Sequence, residues 1–142
     1  MRTPAWSVVA LTLALGAACA TTPRPGETGY PYNVEGVYQS DFVVEGTAYR
    51  GTTELETEPG GAVRGDFSVE RPVGIVGEVS GTISNDSLSF SGTYSQSTGC
   101  DGTISGRGEV SEGGDRVEGP LRVDDSCGGV LQGTFEFDRG ES

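Results

Sequence analysis

Residues 75–95 read IVGEVSGTISNDSLSFSGTYS, and the fold turns on how this stretch is read. Ile75, Val79 and Ile83 precede an Asn85-Asp86 pair, and Leu88, Phe90 and Tyr94 follow it. These apolar residues keep one parity on each side of the pair, while most alternate positions hold Glu, Ser or Thr. A period of two belongs to a strand with one buried face. Two such strands joined by two turn-forming residues make an antiparallel hairpin. Gly77, Gly81 and Gly92 fall on the same parity as the apolar residues, so glycines and core share a face.

Working outward, the same pattern runs from Val34 to the end of the chain with no helical periodicity. It predicts eight strands, at 36–44, 48–57, 62–69, 75–84, 87–95, 100–111, 116–123 and 129–137. Glu58-Pro59-Gly60-Gly61 and Glu112-Gly113-Gly114-Asp115 supply turn chemistry between them. Asn85-Asp86-Ser87 also fits a glycosylation sequon and is read here as a turn. A weak repeat, a glycine two residues before a large apolar side chain, recurs at Gly36/Tyr38, Gly65/Phe67, Gly102/Ile104, Gly119/Leu121 and Gly133/Phe135. Following the parity gives an almost wholly apolar inner set, including Tyr38, Phe42, Tyr49, Leu55, Val63, Phe67, Ile104, Val110, Val117, Leu131 and Phe137. The outer set holds every charge within the strands, among them Asp41, Arg50, Glu54, Glu56, Asp66, Glu78, Arg107 and Glu136.

The fold class expected is all-β, an eight-stranded antiparallel up-and-down barrel, with a β-sandwich as the alternative. Closure removes the exposed edges of such a sheet. A barrel that crosses an outer membrane needs a lipid-facing apolar band, which the outward charges exclude. In an eight-strand meander, Cys100 at the start of strand six and Cys127 in the loop after strand seven lie at one end, so they are expected to form a disulfide. A bridge closing a loop of this size contributes roughly 3 kcal/mol in the chain-entropy account.

At the other end of the sequence, residues 1–18 carry a basic Arg2, an apolar run from Val8 to Leu15, then Gly16, Ala17 and Ala18 directly before Cys19. That order is a signal peptide. It falls short of the roughly 20 apolar residues that span a bilayer. Leu15-Gly16-Ala17-Ala18-Cys19 resembles the lipobox of bacterial lipoproteins, although Leu15 lies four rather than three residues before the cysteine. The resemblance implies lipidation of Cys19, which also removes the odd thiol beside a Cys100–Cys127 pair. An ordinary leader cut near Ala18 or Ala20 is the alternative. Residues 19–33, rich in Pro and Gly, read as a flexible tether to a domain at 34–139. Ala20, where such lipoproteins often place an inner-membrane aspartate, implies the outer membrane, facing the periplasm or cell surface.

The formal net charge is −12, and all 21 acidic residues follow Cys19. Nucleic acid is therefore a poor partner. The chain has no His and no Lys, which removes the usual general base, the commonest metal ligand and Schiff-base chemistry. No Ser-His-Asp set, phosphate loop or zinc spacing occurs. Asp101, Asp124 and Asp125 suggest calcium, or simply turns flanking a disulfide. The second is preferred, and no metal or cofactor is expected. Glu54 and Glu56 on a convex strand face read as solubilising charge rather than a glycosidase pair.

Residues 36–139 resemble, through their Gly-x-aromatic hairpins, small bacterial lipoproteins with lipocalin-like or calycin-like barrels. Gly36-Val37-Tyr38 has tyrosine where the lipocalin start motif has tryptophan, and no functional residue transfers. Aromatic rings packed over the glycines are expected to fill a narrow barrel. The alternative is a small hydrophobic cavity lined by Tyr38, Tyr49, Phe67, Phe90, Tyr94 and Phe135. The expected function is non-enzymatic, a cell-envelope protein binding a small hydrophobic ligand or a protein partner. The alternative is a structural or inhibitory module acting by surface contact with another envelope protein.

Overall fold

The computed structural model describes residues 22–140. The expected signal peptide and Cys19 lie outside the described residues. Eight strands follow one another: β1 (Gly36–Val44), β2 (Thr47–Thr57), β3 (Ala62–Arg71), β4 (Ile75–Ser84), β5 (Ser87–Gln96), β6 (Asp101–Val110), β7 (Arg116–Asp125) and β8 (Gly129–Asp138). Each pairs antiparallel with its neighbour, and β1 pairs with β8 from Gln39↔Asp138 to Val44↔Gly133, so the sheet is a closed up-and-down barrel. The β4–β5 hairpin has the expected register, Ile83↔Leu88 and Ser84↔Ser87 flanking the Asn85-Asp86 turn.

The alternation explains the core. Residues of one parity on all eight strands are buried, from Tyr38 and Phe42 on β1 to Phe135 and Phe137 on β8. Tyr49 and Leu131, expected inside, are half-buried at one mouth. The glycines sit beneath rings: a Cβ at Gly106 would lie 2.6 Å from Phe90 Cζ and 2.9 Å from Phe135 Cε1. Bare backbone at that point is what lets both rings enter. Phe90 and Phe135 meet edge to face with centroids 4.9 Å apart, and Phe137 joins Phe135 at 4.9 Å and Phe42 at 5.9 Å. This cluster occupies the barrel's middle and one end.

That end is also capped, and here the expected tether is corrected. Residues 22–33 fold back on the barrel instead of extending from it. Asn33 ties the segment to itself, its Oδ1 accepting from Gly26 N (2.8 Å) and its Nδ2 donating to Glu27 O (2.8 Å). Tyr30 Oη donates to Asn85 O (2.7 Å), and Gly113 N donates to Pro31 O (2.7 Å). Val34, fully buried, exchanges hydrogen bonds with the Thr57 hydroxyl (2.9 and 2.6 Å). Proline and glycine carry no periodic signal, so only the tertiary contacts of Tyr30, Tyr32 and Val34 reveal this cap. Arg139 completes it, reaching Glu35 O, Gly113 O and the Asp115 carboxylate while its guanidinium lies over the Tyr38 ring.

The opposite end carries the β1–β2, β3–β4, β5–β6 and β7–β8 loops. Cys100 and Cys127 are bonded there, with Cα atoms 5.8 Å apart, as the topology requires. One mouth of the barrel is sealed by chain; the other is bounded by loops and a disulfide.

Candidate functional site

The open mouth leads into a small pocket of about 60 Å³. Its wall is apolar: Phe42 and Val44 from β1, Phe67 and Val69 from β3, Ile75 from β4, Ile104 from β6, Leu121 and Val123 from β7. Tyr49 and Leu131, half-buried, stand at its rim with Gln96. The volume is room for about two water molecules. It is well below the ~300–1,000 Å³ of pockets that enclose a drug-sized ligand. The barrel is therefore nearly filled, as packing over glycines dictates.

Of the six residues expected around a cavity, Tyr49, Phe67 and Tyr94 line this pocket. Tyr38, Phe90 and Phe135 do not. They belong to the aromatic cluster and the capped end, where Tyr38 Oη donates to Gly114 O (2.5 Å). Burial pushes the Tyr38 phenol above its ordinary value, against the opposing charge of Arg139.

One polar group sits inside, and it was missed in the sequence. β7 runs two residues past the expected end at Val123, so the inward parity of Leu121 and Val123 continues to Asp125. Asp125 is only 9% exposed and lines the pocket. The expectation that every strand charge faces outward fails at this position. Continuing the alternation through Asp124-Asp125 was the signal that could have found it.

The carboxylate is well held. Tyr94 Oη donates to Asp125 Oδ2. Cys127 N (2.8 Å) and Gly128 N (3.0 Å) both donate to Oδ1. The Tyr94 hydroxyl, followed by those amides, holds the Asp125 carboxyl below the usual aspartate value, although burial opposes this. Tyr94 moves the other way, raised first by burial and then by its bond to the Asp125 charge. An interior carboxylate with three donors keeps its charge at neutral pH.

Asp101 and Asp124 are exposed on the outer wall while Asp125 points inward, so the three carboxylates do not converge as a calcium site requires. Cys100, Cys127 and Asp125 bring potential ligand atoms within 4.8 Å of one another, but both sulfurs are committed to the disulfide. Glu54 and Glu56 are exposed on the outer wall of β2.

No protein-family model and no curated protein matches the chain. Solved structures do match in fold. A structure of EF1p2_mFAP2b bound to DFHBI superposes with TM-score 0.59 at 10% identity, covering 75% of this chain and 94% of the other. A redesigned beta barrel gives TM-score 0.58 at 15% identity over 76% and 92%. A second redesigned barrel, mFAP1 bound to DFHBI, gives 0.50 at 15% identity over 72% and 93%. At these identities the likeness is one of architecture: a closed eight-stranded antiparallel barrel.

Proposed function

We propose that this is a lipid-anchored, non-enzymatic protein of the bacterial cell envelope whose barrel takes up the apolar part of a small molecule through its disulfide-side mouth. The observation that carries the proposal is the asymmetry of the two ends. Residues 22–34 and Arg139 seal one, while the other opens on a pocket walled by Phe42, Phe67, Ile104 and Leu121. Two barrels of the same fold hold DFHBI, which supports the architecture as a host for small molecules. The lipobox-like Leu15–Cys19 supports the anchor. With Cys19 lipidated, the capped end would lie toward the membrane and the mouth away from it.

The pocket's size sets the mode of binding. Only a few ligand atoms fit without movement, so a longer molecule leaves its remainder at the rim or displaces the half-buried Tyr49 and Leu131. Incubating the purified protein with a mixed envelope-lipid extract and analysing retained species by mass spectrometry tests this. A defined apolar species retained by the native protein and lost in Leu131→Trp, which blocks the mouth, is the expected result. Retention of nothing, or equal retention by both proteins, overturns the proposal.

A further inference from the structure

The one charged group in the pocket narrows what it accepts, if the pocket is the ligand site proposed above. Asp125 Oδ1 already accepts from Cys127 N and Gly128 N, and Oδ2 accepts from Tyr94 Oη. A carboxylate has about four acceptor positions, so one remains, on Oδ2. Tyr94 Oη, its proton engaged in the hydrogen bond to Asp125, presents only lone pairs to the pocket. Among the described residues lining the pocket none is cationic. The other polar groups on the lining are the Tyr49 hydroxyl and the Gln96 amide, both neutral. Both are half-buried at the rim, and Gln96 Oε1 accepts from Thr98 Oγ1 (2.9 Å). Asp101 and Asp124, exposed on the outer wall beside it, add negative charge to the same mouth.

From this geometry we infer that the pocket selects a neutral or cationic molecule with an apolar body and a hydrogen-bond-donating group, and turns away carboxylates, including fatty acids. A donor meets Asp125 Oδ2 and Tyr94 Oη together. A carboxylate offers no proton there and brings a second negative charge into a site of low polarity, which costs binding steeply.

Four probes with one apolar body and different heads test the inference: toluene, benzyl alcohol, benzylamine and benzoate, each of whose rings enters by displacing the half-buried Tyr49 and Leu131. Each is titrated into the purified full chain at about neutral pH and followed by amide NMR shifts, then repeated in about 1 M salt, where exposed charges are screened. The expected result is that benzyl alcohol and benzylamine bind at least about tenfold more tightly than benzoate, as a hydrogen bond to a charged group implies. That gap persists in salt, because the discriminating charge is buried. In Asp125→Asn the benzylamine-to-benzoate gap shrinks several-fold. Benzoate binding as well as the alcohol overturns the selection rule while leaving the pocket a ligand site, and so does a gap abolished by salt. Failure of all four probes to bind overturns both.

Discussion

Asp125 and Tyr94 are pushed in opposite directions by the bond they share, and each direction has a consequence for stability. Asp125 is depressed in the folded protein, chiefly by the Tyr94 hydroxyl. Its contribution is present above the ordinary aspartate value, about 4, and is lost as pH falls through the folded value. Tyr94 is raised, chiefly by burial. Its contribution is complete below the ordinary tyrosine value, about 10, and declines as pH rises beyond it. Tyr94→Phe removes the bond and leaves one acceptor of a buried carboxylate unmet, a loss of about 1–3 kcal/mol at neutral pH. The stability difference between the native protein and Y94F should therefore be largest near neutrality and shrink toward both acid and alkali. Denaturant unfolding of both proteins across pH checks this, and a difference that does not vary with pH contradicts it.

At the level of the elements, the disulfide and Asp125 form one device. The bridge fixes Cys127, and the Cys127 and Gly128 amides fix the carboxylate, so the β7–β8 turn is tied both to β6 and to the barrel interior. Replacing both cysteines by serine should lower stability by about 3 kcal/mol, or roughly 10 °C in melting temperature for a domain of this size. It should also weaken benzylamine binding, because the amides that orient Asp125 become mobile. Thermal melts and the probe titration check the two effects separately. The strands themselves were legible because alternation and turn chemistry agree along the chain: β1 and β4 have the expected bounds, β6 is one residue shorter at each end, and the rest shift by one or two residues at one end. What was not legible has particular causes. Two acidic residues in succession look like a loop, which hid the inward parity of Asp125. The Pro-Gly stretch before Val34 has no period, and its seat on the barrel depends on partners such as Asn85 and Gly113 that lie far away in sequence.

For the whole molecule, closure and filling are two outcomes of one sequence rule. A large apolar side chain on a glycine-bearing face lets rings overlie bare backbone, so eight short strands close around Phe90, Phe135 and Phe137 rather than around solvent. The glycine-x-aromatic repeat thus announced the packed centre, while the residual pocket depends on how far the rings reach toward each end. At the capped end Tyr38, Val34 and Arg139 finish the filling. At the disulfide end Tyr49 and Leu131 lean over an unfilled volume with one carboxylate inside it. The outer wall keeps its strand charges exposed, among them Glu54, Glu56 and Glu78.

The claim that this mouth is the binding site is tested most directly by an amide NMR titration of the full chain with benzyl alcohol. The account predicts saturable shifts confined to the residues around Tyr49, Tyr94, Asp125 to Gly128 and Leu131, and absent in Leu131→Trp. Saturable shifts at the capped end or on the outer wall, or none at all, would contradict it.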